Sequence, residues 1–208
     1  MKNSIFALSL LFIIFSSCTK EKIKDTVKPT KEVKEVVKKQ ETTKQVVVWK
    51  GYKPTGSHTG TINVKSSNFK FEGDQLIGGT VVLDMTSIKN RDLQDAGDKS
   101  DLENHLKSTD FFNVAMFPTA KFEILKVETD KEGQFKIEGN LTIKDITKKI
   151  SFTATKIQKD GKNYLKSGII KIDRTDFGVK YKSKKFFANL KDKFINDEFD
   201  IVFRLVLK

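Results

Sequence analysis

Residues 134–143 read Gln-Phe-Lys-Ile-Glu-Gly-Asn-Leu-Thr-Ile, ten residues in which polar and apolar or small side chains alternate without a break. A period of two puts every second side chain on one face of a strand, so this segment has one apolar and one wet face. Phe69-Lys70-Phe71-Glu72, Val81-Val82-Leu83-Asp84 and Lys121-Phe122-Glu123-Ile124 repeat the pattern, and Phe199, Ile201, Phe203, Leu205 and Leu207 share one face of a segment at 198–207. Further strands are expected at 46–52, 60–65, 148–157 and 164–173. Turn signals separate them: Gly73-Asp74, Asp130-Lys131-Glu132-Gly133 and Asp160-Gly161. Strands in hairpin succession with one apolar face each make an antiparallel sheet, and about eight of them make a barrel or sandwich. The fold class is therefore all-β. Gly78-Gly79 inside a strand marks a bulge or bend that suits barrel curvature. Only 101–108 (DLENHLKS) looks helical, with Asp101 as its cap, and a second helical turn is expected near 186–193.

The N-terminus has a different character. Lys2 precedes the apolar run Ile5–Phe15, and the small residues Ser16 and Ser17 follow it. This is the charged, apolar and small-residue order of a secretory signal, and the run is too short to span a bilayer. Cys18, the one cysteine of the chain, stands where a bacterial lipoprotein signal, which this leader resembles, places its acylated residue. Phe15 departs from the aliphatic residue usual in such signals. An ordinary signal peptide with a stray cysteine is the plainer alternative. On the lipoprotein reading, Cys18 carries a thioether-linked diacylglyceryl group and anchors the chain to a membrane of the cell envelope, the outer membrane foremost. The chain then faces either the periplasm or the cell surface. Lys20-Glu21 resembles a surface-display cue of Bacteroidota lipoproteins. Residues 19–45 hold nine Lys, five acids and no aromatic residue. Such a segment cannot bury enough apolar surface to offset the entropy of ordering it, so it is expected to be a tether. The expected divisions are 1–17 signal peptide, 18–45 acylated cysteine and tether, and 46–208 barrel.

The formal net charge of +12 invites a nucleic-acid reading. The leader and tether account for +5 of it, and the remaining +7 is spread over 46–208 as lysines alternating with apolar residues. That is the outer face of a sheet, where lysine also discourages edge-to-edge pairing. Nucleic acid is excluded as a partner, whereas attraction to anionic lipid remains open. The barrel segment keeps 14 of the 17 Phe against one Trp and three Tyr. Phe supplies apolar surface without a polar atom that needs a partner. An eight-stranded barrel can be filled by its own side chains or hold one small ligand, and alternation alone does not choose.

Three motifs carry a resemblance. His105-Leu106-Lys107-Ser108-Thr109-Asp110-Phe111-Phe112-Asn113-Val114 followed by Phe117-Pro118-Thr119-Ala120-Lys121-Phe122, then Gly139-Asn140-Leu141-Thr142-Ile143-Lys144-Asp145-Ile146-Thr147-Lys148, then Arg174-Thr175-Asp176-Phe177-Gly178-Val179, resemble in sequence and order the YceI-like lipid-binding family. Asp145 stands in place of the more usual Gly. The resemblance spans nearly all of 46–208 and implies an extended lipocalin-like antiparallel barrel, with one or two short helices here, around a long apolar pocket for polyisoprenoid or other amphiphilic lipids. The stretch from Trp49 to Gly60 is longer and more polar than the family's opening strand, which would alter the pocket mouth.

On that reading, strand phase nominates Phe69, Phe71, Leu83, Phe122, Ile137, Phe152 and Ile170 as pocket liners. Phe111, Phe112 and Phe177, on connecting elements, are a candidate lid. For each of these, plain core packing is the competing reading. His58 and Arg174 are headgroup candidates, with Arg174 alternatively paired to Asp176 as a structural ion pair. His105 is expected to pack or cap locally. No nucleophile elbow, phosphate loop or zinc signature occurs, so no catalytic residue, metal or cofactor is assigned. The expected function is a non-enzymatic envelope lipoprotein that carries or sequesters an amphiphilic lipid. A filled barrel serving structure or interaction, and an envelope enzyme acting on a lipid, are the alternatives. A homodimer is left open.

Overall fold

The computed structural model describes residues 45–207, so the leader, Cys18 and most of the tether lie outside the described residues. Nine strands follow in the order β1 (Val46–Lys53), β2 (Gly56–Glu72), β3 (Gln75–Asn90), β4 (Thr119–Thr129), β5 (Gln134–Ile143), β6 (Ile146–Lys159), β7 (Lys162–Ser167), β8 (Ile170–Asp173) and β9 (Glu198–Val206), with one α-helix, α1 (Ala96–Lys107), between β3 and β4. Each strand pairs antiparallel with its neighbour, and β1 pairs with β9 to close the sheet, Val47 opposite Phe203.

The ring has eight members rather than nine. β7 and β8 both pair with the same strand, Leu165 opposite Leu205 and Ile170 opposite Ile201. The pairing slips by one residue between them, so they are two halves of one strand broken by a bulge at Gly168-Ile169. The continuous strand expected at 164–173 is corrected accordingly, and the bulge turns Ile169 outward, leaving it 68% exposed. The expected segments at 60–65 and 69–72 prove to be one strand, the 17-residue β2, about 55 Å long at strand rise. Length of this kind makes the barrel an extended one.

Local chemistry sets the turns. Asp160-Gly161 and Lys144-Asp145 connect their hairpins with both central residues at positive φ, the twist that two-residue hairpins require. Asp130 accepts from the N–H groups of Glu132 and Gln134 to close the β4–β5 turn. Gly78-Gly79 does mark an irregularity: pairing slips between Lys70 and Phe71 opposite it. Gly79 has φ +154°, and a Cβ there would lie 2.6 Å from the Asn68 carbonyl oxygen, so no larger residue fits. A second bulge, between Ile124 and Lys126, leaves Leu125 exposed.

The helix begins earlier than expected. Asp95, not Asp101, caps it by accepting from the Asp98 N–H at 2.9 Å. The polar run Asp95-Ala96-Gly97-Asp98 has no apolar periodicity to reveal a helical turn. The helix docks through Leu102 and Leu106, which pack on the core, and through Glu103, only 6% exposed. Its carboxylate accepts from the Asn90 backbone N–H at 2.9 Å and from Lys89 Nζ at 2.8 Å. Burial pushes the Glu103 pKa up, but the bonds from Lys89 and Asn90 outweigh it and hold the carboxyl below its ordinary value. The helical turn expected near 186–193 is a short 3-10 turn at Lys191–Lys193.

Two apolar clusters fill the barrel. One gathers Trp49, Ile62, Met85, Ile88, Ile143, Ile170, Ile172 and Phe177; the other gathers Leu76, Ile124, Phe135, Ile137, Ala154 and Leu165. Phe152 and Phe203 pack against both, which places these two rings at the join.

Candidate functional site

Inside the barrel lies an apolar chamber. Lys121 is the only lining residue that is not apolar. Six of the seven residues nominated by strand phase contribute to its wall: Phe69, Leu83, Phe122, Ile137, Phe152 and Ile170. Phe71 does not. It keeps the inward phase of Phe69 but lies further along β2, where it packs partly buried on the cluster at the Leu76 end with Lys156 Nζ over its ring. Val47, Met85, Phe199 and Phe203 also line the chamber. Of these, Phe199 and Phe203 were legible from the face shared along β9. The rings of Phe122 and Phe152 sit 5.3 Å apart, and Phe203 meets Phe152 edge-on at 5.9 Å. Gly139 makes room for this stack, since a Cβ there would come within 2.4 Å of the Phe122 ring. The space inside it that water could occupy is about 100 Å³, several times what one water needs.

A second chamber adjoins it, walled by β1, the start of β2, α1, the loop carrying Phe111 and Phe112, and the segment before β9. The same measure gives it about 220 Å³. Ile62, Phe112 and Phe199 line both chambers, and Phe112 meets Phe199 edge-on at 6.5 Å. Those three side chains therefore form the partition. Of the lid candidates, Phe111 and Phe112 line this outer chamber. Phe177 does not; at 2% exposed it belongs to the core beneath, because the 3-10 turn Arg174–Phe177 points it inward.

Three polar side chains of the outer chamber, Arg174, His58 and Tyr52, are held by neighbouring groups of the fold. Arg174 is 3% exposed. Its Nε donates to the Asn196 carbonyl at 3.0 Å, its Nη1 to Val179 at 2.9 Å and its Nη2 to Ile195 at 3.0 Å. Its carboxylate partner is Asp197, at 3.4 Å. Asp176, the partner the sequence suggested, is exposed, and the neighbouring Asp173 pairs with Lys185 and caps the turn. Burial lowers the Arg174 pKa, opposed by Asp197 and Asp173. The guanidinium thus ties the ends of the 178–197 loop together.

His58 sits at the chamber wall with Nδ1 2.9 Å from Asp92 Oδ2. Asp92 Oδ1 also accepts from the Thr59 N–H and from Asn90 Nδ2. Burial raises the Asp92 pKa, but the Thr59, His58 and Asn90 bonds prevail and lower it. Tyr52 donates to Asp200 Oδ2 at 2.6 Å. His105 packs locally as its motif suggested, edge-on to Phe111 and Tyr181. The Trp49 indole Nε1–H is buried with no hydrogen-bond partner among the described residues, and the residue borders the outer chamber. Residue-type reasoning singled out the Trp49–Gly60 stretch but not this atom.

The geometry thus joins an apolar inner chamber to a larger outer one across Ile62, Phe112 and Phe199. Comparison with known proteins bears on the fold. Residues 36–207 match the YceI-like domain family. A UPF0312 protein of Azotobacter vinelandii is 35% identical over 82 residues, covering 37% of this chain and 43% of that protein, so the match spans less than half its length. One from Shewanella denitrificans is 27% identical over 137 residues, covering 64% and 69%. Among solved structures, Burkholderia cenocepacia BcnA superposes with TM-score 0.62 at 18% identity, covering 79% of this chain and 96% of that one. A polyisoprenoid binding domain from Saccharophagus degradans, implicated in plant cell wall breakdown, gives 0.54 at 12% identity, covering 78% and 92%. Identities this low show a shared fold. The match across most of the described barrel, together with its closed eight-stranded ring, establishes that this chain belongs to the YceI-like domain family.

Proposed function

We propose that this protein binds an amphiphilic lipid of the isoprenoid or fatty-acyl type and carries or sequesters it without chemical change. The observation that carries the reading is the inner chamber, whose lining is apolar at every position but Lys121. A prenyl or acyl chain needs a dry, shaped tunnel with a few polar groups near its mouth. The structural likeness to a polyisoprenoid binding domain supports the same class of ligand. The leader and Cys18 support anchoring to the outer membrane by acylation, with the barrel held on its tether near the lipid source.

The segment between Gly178 and Asp197 supports a membrane as that source. It carries six lysines against one acid, Asp192, and Phe186 and Phe187 are 47% and 48% exposed. Its two ends hold the outer chamber: Arg174 bonds to both, and Ile195 and Asn196 line the wall. Basic residues with exposed aromatic rings suit an anionic lipid surface.

The test is organic extraction of the full chain purified from a bacterial envelope, followed by mass spectrometry. A stoichiometric lipid with one long chain is expected. Protein free of lipid that also takes up no prenyl or acyl probe would refute the reading and favour the barrel filled by its own side chains.

A further inference from the structure

The end of the β1–β2 hairpin is nearly bare on the face that borders the outer chamber. Residues paired across antiparallel strands share a face, and every second pair shares the same one. Trp49 packs in the core opposite Gly60, so the next pairs on that face are Gly51 with His58 and Lys53 with Gly56. A Cβ on Gly51 or Gly56 would meet nothing within 4 Å. His58 and Lys53 are therefore the two side chains that this face carries beyond Trp49, with open space between them. Asn196 joins from the opposite wall. Its N–H donates to the Tyr52 carbonyl at 2.9 Å, which sets it beside Gly51 and Lys53. Gly51, Lys53, His58 and Asn196 all border the outer chamber.

The chemistry these side chains have left points to one class of ligand. A carboxylate only accepts, so in the bond to Asp92 the proton belongs to His58 Nδ1, and Nε2 is the atom the ring has left. Neither Nε2, nor Lys53 Nζ, nor the Asn196 side-chain amide has a partner among the described residues. The carboxylates nearby do have theirs: Asp92 holds His58, Thr59 and Asn90, Asp200 holds Tyr52 and Lys171, and Asp197 lies between Arg174 and Lys185. An oxyanion in the gap would meet the Lys53 ammonium and the Asn196 amide as donors. It would also share one proton with His58 Nε2, which donates that proton when the ring holds it and accepts it from the acid when the ring does not.

From these observations we infer that the gap framed by Lys53, His58 and Asn196 over Gly51 is a headgroup site for an oxyanion, a carboxylate or a phosphomonoester at the end of the apolar chain. Lys53 supplies the preference for charge, and His58 supplies the shared proton. The site favours such a head over a neutral alcohol on the same chain. This rests on the carrier reading above, since it supposes that the chain itself occupies the inner chamber past Ile62, Phe112 and Phe199.

Three probes with one chain length test it: farnesyl phosphate, farnesoate and farnesol, each titrated into delipidated full-length protein at pH 7. At least one of the two anions is expected to bind about tenfold more tightly than farnesol, the worth of one charge-assisted hydrogen bond. The tighter of the two names the head as phosphomonoester or carboxylate. Lys53→Met, at an exposed position, should bring that anion within about threefold of farnesol and leave farnesol affinity within about twofold. The chain has two histidines, so the ring ¹⁵N resonances of His58 are readily assigned. Nε2 should move further with the anion than with farnesol, which keeps the inference testable should the variant fail to fold. Inorganic phosphate that displaced farnesyl phosphate at equal concentration would overturn the assignment to a lipid head. Equal binding of all three probes with an unmoved His58 resonance, or a Lys53→Met variant that keeps the full preference, would overturn the headgroup site while leaving the carrier reading intact. No binding of any probe would refute both.

Discussion

Replacing Arg174 with Met separates a structural role from a ligand-binding one. The side chain is 3% exposed and donates to the carbonyls of Asn196, Val179 and Ile195. Methionine fills similar volume but donates nothing. Each stranded carbonyl costs about 1 kcal/mol at the lower end of the range for buried unpaired groups, so three give about 3 kcal/mol. Loss of the Arg174 pairing to Asp197, which Lys185 at 3.9 Å replaces only in part, brings the loss to about 3–5 kcal/mol. For a domain of this size a loss of 1 kcal/mol lowers the melting temperature by about 2–4 °C, so the variant should melt roughly 6–20 °C below the parent. Arg174→Lys restores a charge and at most part of the carbonyl set, and should fall between. The assay is thermal unfolding followed by circular dichroism, alongside farnesol titration well below both transitions. Affinity should stay within about threefold, the worth of 0.6 kcal/mol. A variant that melts within 2 °C of the parent yet loses tenfold or more in affinity would show that the guanidinium serves the ligand, and the reasoning from its carbonyl partners would be wrong.

Glu103→Gln keeps an acceptor for the Asn90 N–H but loses the charge that Lys89 meets, and should cost about 1 kcal/mol at pH 7 in urea unfolding. Because the folded-state pKa of Glu103 is lowered, the stability it contributes is present above the ordinary glutamate value of about 4.3 and is lost as pH falls through the folded value. The gap between parent and variant should therefore narrow below pH 4, and a gap that widens there would contradict the sign. Asp145→Gly relieves a left-handed backbone at φ 60° in the β5–β6 turn and should raise stability by about 0.5–1 kcal/mol, less any gain in unfolded-chain entropy. A fall in the urea midpoint would count against it. Replacing Phe186 and Phe187 together by Ser should slow farnesol transfer between anionic vesicles about fivefold or more, with the melting temperature unchanged, and 0.5 M salt should slow the parent as well. Equal transfer rates would remove the loop from the exchange step.

Much of the barrel was legible because period-two alternation survives wherever pairing is regular. The strand bounds of β5 coincide with the alternating decapeptide 134–143. Where pairing slips, alternation misleads. One extra residue at Gly168-Ile169 splits a strand in two while keeping both halves on β9. A bulge at Leu125 turns a leucine outward, and the extra residue opposite Lys70–Phe71 does the same to Ile77. Each bulge depends on which residue stands across the sheet, a relation between segments distant in sequence. The start of helix α1 was missed because its first turn carries no large apolar residue; Leu102 and Leu106 pack on the core, while the Glu103 carboxylate that bonds β3 looks in sequence like any exposed glutamate.

The site followed a different rule. Aromatic and aliphatic residues could be assigned by phase, since an apolar side chain lines whatever space its strand faces. Polar residues could not, because the chemistry a group offers is what remains after its neighbours have taken their share. Arg174 suggested an anion and turned out to hold three backbone carbonyls; His58 suggested a headgroup and turned out to share Asp92 with Thr59 and Asn90. The loop that Arg174 fastens also forms the wall of the outer chamber, so the strongest charge near the site maintains its shape.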